Sequence, residues 1–162
     1  MKKTILIIFI FISIGILAEE KGEKGKLDLS INASLSTGAG FGIAYNFTNR
    51  FRIKLTGLYI NFYDDSNSST TILLGGSLSY KLKTLKDQKS SLYLFLGTSN
   101  IINSHINENT NVIGLGLGLR KFFDSKMFWE VEIGYSNYFS YESNIEESIT
   151  MPSLGFNIGY QF

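Results

Sequence analysis

Residues 153–162 read Ser-Leu-Gly-Phe-Asn-Ile-Gly-Tyr-Gln-Phe. Leu154, Phe156, Ile158, Tyr160 and Phe162 share one parity, and Ser153, Gly155, Asn157, Gly159 and Gln161 share the other. Side chains of an extended chain point alternately to opposite faces, so this stretch is a β-strand with two different surroundings. One surrounding takes large apolar groups, and the other takes small or polar ones.

The pattern recurs upstream. Ile113, Leu115, Leu117 and Leu119 oppose Gly114, Gly116, Gly118 and Arg120; Trp129, Val131, Ile133 and Tyr135 oppose Glu130, Glu132 and Gly134. Ala39, Phe41, Ile43, Tyr45 and Phe47 oppose Gly38, Gly40, Gly42, Ala44 and Asn46. Strands are expected near 27–37, 38–48, 51–63, 71–83, 91–102, 111–123, 128–141 and 148–162. Such strands are long for a soluble sheet and suit a tilted bilayer crossing, which takes roughly 9–11 residues. In strand 91–102, Tyr93 and Phe95 are expected to point inward and fill the volume that glycines leave.

A soluble barrel would put the greasy face inside and a charged face in water. Here the second face is mostly Gly, Ser, Asn and Thr, which suits a crowded narrow lumen, with the greasy face turned to lipid. The expected fold is therefore all-β: an eight-stranded, antiparallel, up-and-down transmembrane β-barrel. Sixteen glycines, a single proline and 14% aromatic residues fit long regular strands.

The N-terminus has its own signature. Lys2 and Lys3 precede the apolar run Thr4–Leu17, and Ala18 precedes Glu19-Glu20-Lys21. A charged start, a short apolar core and a small residue at the cut site read as a secretory signal peptide over 1–18. The run is too short for the roughly 20 residues of a membrane helix. Residues 19–26 read as a short solvated periplasmic leader, and 27–162 as the barrel. After cleavage 13 basic residues face 14 acidic ones, a net charge of −1.

Basic residues cluster as Arg50, Arg52, Lys54; as Lys81, Lys83, Lys86, Lys89; and as Arg120, Lys121, Lys126. Each cluster surrounds every second connection between strands. The alternate connections, around Asp64–Asp65, Glu108 and Glu142–Glu147, carry acid and neither Lys nor Arg. An even strand count puts each sign at one end. Aromatic residues gather near strand ends: Phe47, Phe51, Phe122, Phe123, Trp129, Tyr160 and Phe162 at the basic end, and Tyr59, Phe62, Tyr63, Phe139 and Tyr141 at the other. Rings of this kind favour the lipid–water interfaces.

The same register turns Arg52, Lys54, Lys81, Lys83, Arg120, Glu130, Glu132, Gln161 and Asp28 inward near the basic end. Charges in so narrow a lumen are costly unless paired. A lumenal salt-bridge network joining Glu130 and Glu132 to the Arg and Lys around them is expected, with a plugging role ahead of gating.

Catalytic chemistry has little to stand on. With no cysteine there is no disulfide, thiolate nucleophile or cysteine metal site. The single histidine, His105, neighbours Ser104 and Glu108 in one acidic connection, and is expected to be a solvated loop residue. The expectation is no enzyme, no cofactor, no metal site and no nucleic-acid partner. Asp64, Asp65, Glu142, Glu146 and Glu147 leave room only for loose calcium or lipopolysaccharide bridging. The glycine strings GAGFG and GLGLG lack the strand–turn–helix setting of a phosphate loop.

Export signal, eight alternating strands, basic turns and terminal Phe162 together resemble the small bacterial outer-membrane barrels of the OmpX, OmpW and OmpA-membrane-domain kind. The resemblance implies that Phe162 is the assembly signal read by the outer-membrane barrel assembly machinery. It makes the basic end periplasmic and the acidic end extracellular. It also implies residence in the bacterial outer membrane as a monomer among lipid and lipopolysaccharide. The basic end as a whole, with its short turn at Thr48–Arg50, fits that orientation. The expected role is non-catalytic, structural or surface-interacting. The alternative is a narrow, porin-like channel for small or hydrophobic solutes, as OmpW-like barrels suggest; a lipid-modifying enzyme ranks last, since His105-Ile106-Asn107 lacks the His-x-Ser motif of the lipid A deacylase barrels.

Overall fold

The computed structural model describes residues 25–64, 67–103, 108–123, 126–142 and 145–162. The expected signal peptide, most of the leader, and Ser104 and His105 lie outside these residues. So do the side chains of Asp64, Asp65, Glu108, Glu142, Glu146 and Glu147. Eight strands form: β1 (Leu27–Ser34), β2 (Gly38–Asn46), β3 (Phe51–Asp64), β4 (Asn67–Thr84), β5 (Ser90–Asn103), β6 (Glu108–Phe122), β7 (Met127–Glu142) and β8 (Ile145–Gln161). Each pairs antiparallel with the next, and β1 pairs with β8 to close the barrel. Closure removes, along the length of β1 and β2, the edges that an open sheet of such strands would offer to other chains.

Alternation becomes geometry. Phe41 (74% exposed), Leu55 (60%) and Leu154 (69%) stand on the outside, while Asn32, Ser79 and Asn157 are buried in the lumen. Register partners share a face, so the leucines of β6 continue into Leu94 and Leu96 of β5 and into Val131 and Ile133 of β7. Tyr93 and Phe95 fill the lumen as expected, at 5% and 1% exposure. The Tyr93 ring lies against Gly118, where a Cβ would overlap it.

Strands β4, β6 and β8 begin three or four residues before their expected starts. Those extensions, Asn67–Thr70, Glu108–Thr110 and Ile145–Glu147, are mostly polar. Hydrophobic alternation stops there in the sequence while the hydrogen-bonded ladder continues.

β1 and β2 are the shortest strands, and the tip between them, Leu35–Thr37, folds into the lumen. Ser36 and Thr37 are buried. The Ser99 hydroxyl donates to the Leu35 carbonyl at 2.8 Å, and the Thr56 hydroxyl donates to the Thr37 carbonyl at 2.8 Å. A Cβ on Gly97 would meet the Ser36 carbonyl oxygen at 2.6 Å. The tip thus rests on a shelf where larger residues would not fit. Because the hairpin is short, β2 leaves β3 at Gly57 and β1 leaves β8 at Gly155. Above these points β3 and β8 continue with one described partner each, leaving a notch in the wall.

The β4–β5 turn is held by Asp87. Its carboxylate accepts from the Ser90 hydroxyl at 2.6 Å and from the backbone amides of Ser90 (2.9 Å) and Lys89 (3.2 Å). The Ser90 hydroxyl, and then those amides, hold the Asp87 carboxyl below the ordinary carboxylate range. A depressed carboxylate stabilises the fold above its unfolded pKa, and this contribution is lost as pH falls through the lowered folded value. The Ser90 amide should therefore stay protected from hydrogen exchange at neutral and mildly acidic pH. It should lose protection only below the ordinary carboxylate range, relative to an Asp87→Asn variant whose protection does not change with pH. Identical pH profiles would remove the carboxylate from the turn.

Candidate functional site: a charge network in the lumen

The basic half of the lumen holds three carboxylates, Asp28, Glu130 and Glu132, and three cations, Arg52, Lys54 and Arg120, all buried. They come from β1, β3, β6 and β7, each at an inward position. Arg52 Nη1 donates to Glu130 at 2.6 Å, and Arg52 Nε lies 2.9 Å from Asp28. Arg120 Nη2 donates to the same Asp28 oxygen at 2.8 Å, with its Nε 3.4 Å from Glu130. Lys54 Nζ donates to Glu132 at 3.1 Å and lies 4.0 Å from Glu130. The two arginines share the two carboxylates, and the network carries no net charge.

Neutral groups add hydrogen bonds to the carboxylates. Asn157 donates to Glu130 at 3.0 Å and Gln161 to Asp28 at 3.0 Å. Glu132 accepts from the Thr37 hydroxyl at 3.0 Å and from Tyr93 at 3.4 Å. The Thr37 bond ties the folded-in hairpin tip to the ionic layer below it. Phe128, fully buried, lies under the Arg120 guanidinium at 3.8 Å, and Phe122 flanks the same group at 4.9 Å. Paired, hydrogen-bonded and stacked, the charges are affordable inside a low-dielectric lumen.

Of the residues expected here, the structure brings Arg52, Lys54, Arg120, Glu130 and Glu132 together with Asp28 and Gln161. Lys81 stands at the mouth, lining with Asn46, Arg50 and Arg52 a cavity of about 30 Å³, room for a water or two rather than a solute. Lys83 corrects the expectation: it is outside. A register shift between Lys81 and Lys83 places Lys81 opposite inward Tyr93 but Lys83 opposite outward Leu92. A bulge inserts one residue and reverses the parity of everything beyond it.

Two aromatic assignments also change. Phe51 keeps its outward parity but is buried beneath Phe47 and Tyr80, with ring centroids 5.7 and 4.9 Å away. Phe122 lies on the inward face with Arg120, opposite Phe128. The inward Phe128 shares the parity of Glu130 and Glu132, but a large apolar ring is not what the small or polar inward positions of the other strands lead one to expect. Phe162 is exposed at the rim, its ring 4.9 Å from that of Tyr160. Among the described residues no group of three acidic or histidine side chains is placed to hold a metal ion.

Above the hairpin tip the lumenal face changes character. Leu58, Leu73, Ile101, Val112, Ile149 and Met151 take the inward positions there. Ile149 and Met151, the latter next to the chain's single proline, border the notch.

Fold and site together define an eight-stranded barrel of the outer-membrane kind with a filled lower lumen. No protein-family model matches the chain, and no curated protein matches it. Among solved structures it is similar to the N-terminal β-barrel domain of Pseudomonas aeruginosa OprF, at 14% identity and a TM-score of 0.55, over 87% of this chain and 100% of that one. It is also matched to the outer-membrane protein AlkL (11% identity, TM-score 0.47, 90% and 93% covered) and to Ail of Yersinia pestis (15%, 0.40, 86% and 99%). The OprF likeness establishes the fold; nothing is drawn from the other two.

Proposed function

We propose that this chain is a non-catalytic integral protein of the bacterial outer membrane, with a structural or surface-presenting role and a lumen closed to ions. The observation that carries this reading is the neutral six-charge network with the Thr37 hairpin tip seated on it. The outer surface supports the membrane setting: large apolar side chains on every strand form a belt far beyond the apolar patch a soluble monomer tolerates. Export by the 1–18 segment, assembly through Phe162, a monomeric state, and lipid and lipopolysaccharide as surroundings belong to the same proposal.

A second reading has its own observation. The apolar upper lumen and the notch between β3 and β8 suit a hydrophobic solute that enters from the acidic end and leaves sideways into lipid. One experiment separates the two. Purified protein in a planar bilayer should give no steady conductance, and liposomes carrying it should take up an apolar dye no faster than empty ones. Steady openings would overturn the closed lumen. Faster dye uptake without conductance would favour the side path.

A further inference from the structure

We infer that the bulged β4–β5 hairpin, together with the neighbouring end of β6, is a binding site for anionic phospholipid headgroups in the leaflet at the basic end. The inference rests on the membrane reading above. Lys83, Lys86, Lys89 and Lys121 are all exposed there. Backbone bonding sets them side by side: the Phe122 amide donates to the Lys89 carbonyl at 2.9 Å, and Ser90 is the register partner of Lys121. The one acidic side chain described on this rim, Asp87, has its oxygens engaged by Ser90 and the turn amides.

A run of lysines alone would read as a solvated turn. Two features make it amphipathic. Leu82 and Leu85 interleave with the lysines and are 46% and 38% exposed. The bulge carries Lys83 out of the lumen to the lipid side, opposite Leu92. Leucines that enter the acyl boundary beside ammonium groups at headgroup depth fit a phosphate-bearing lipid surface, and basic residues near such a surface each add attraction. A soluble polyanion would use the lysines and leave the leucines in water.

Trp129 supplies the probe. It is the only tryptophan of the chain and the register partner of Lys121, on the outer face. The full protein is reconstituted in phosphatidylcholine containing an equal small fraction of brominated phosphatidylglycerol or brominated phosphatidylcholine, and quenching of Trp129 is read. Brominated phosphatidylglycerol should associate about fivefold more strongly, and the preference should fall with added salt. Lys83→Gln with Lys121→Gln should reduce the preference, and adding Lys86→Gln and Lys89→Gln should abolish it. These side chains are exposed, so the variants fold; unchanged circular dichroism checks this. Equal quenching by both lipids, or a preference that survives all four substitutions, would overturn the site. Absence of quenching by either lipid would instead overturn the membrane reading.

Discussion

Replacing Glu130 by alanine is expected to lower the free energy of unfolding by about 3–5 kcal/mol, the usual cost of removing one partner from a buried ionic cluster. Glu130 is fully buried and meets Arg52 at 2.6 Å, Arg120 at 3.4 Å, Lys54 at 4.0 Å and Asn157 at 3.0 Å. Its loss leaves three cations against two carboxylates in a space with little water to compensate. Asp28 still holds both arginines, so the barrel should fold but melt early. Glu130→Gln isolates the charge: it keeps the volume and an acceptor for Arg52, so its cost should be the smaller. Urea titration in detergent, followed by Trp129 fluorescence, reads both. Unchanged midpoints for both variants would mean that the network does not contribute to stability. Because Arg52 and Arg120 share the same carboxylates, Arg52→Met should cost less in the Glu130→Ala background than in the wild type; such non-additivity is expected of groups in one network.

What the sequence shows about this barrel follows from how far its alternation is imposed by surroundings. Where one face meets lipid and the other a packed lumen, as along Leu154–Phe162, every residue reports its side. Charge placement sharpened this, since Arg52 and Lys54 share a parity with Thr56, and Glu130 with Glu132. Lys83 was illegible because a bulge has no signature in Lys-Leu-Lys-Thr: either register puts a lysine and a leucine on acceptable faces at the membrane edge. The inward hairpin tip was illegible for a different reason. Ser36 and Thr37 read as the end of the strand expected over 27–37 and Gly38 as the start of the next, and nothing local shows that β1 instead stops at Ser34 and the chain reverses on glycines of β4, β5 and β6. The apolar upper lumen was hidden too. Leu58, Leu73 and Ile101 sit among apolar neighbours of the opposite parity, so both faces looked alike.

The tip makes the second large prediction. Gly38 has φ of +89°, a backbone that L side chains rarely adopt. It is also packed: a Cβ there would collide with the Thr56 hydroxyl and come within 2.9 Å of the Gly75 Cα. The hydroxyl can rotate, but doing so breaks its bond to the Thr37 carbonyl, and the β4 backbone can yield only by disturbing its ladder. Gly25 is the natural control, with φ of +79° and open space around its would-be Cβ. Gly25→Ala should cost only the left-handed conformation, about 1–2 kcal/mol. Gly38→Ala should add overpacking of about 1–3 kcal/mol, for a total of about 2–5 kcal/mol. Denaturant midpoints of the two variants measure the difference directly. If the strain is relieved by lifting the tip off its shelf, the buried bond from Thr37 to Glu132 opens as well, and the amides around Ser36 should exchange faster while the β5–β6 ladder stays protected. Equal costs for the two alanines would mean that the tip does not rest on β4, and the lumen would then have one closure, the ionic layer, instead of two.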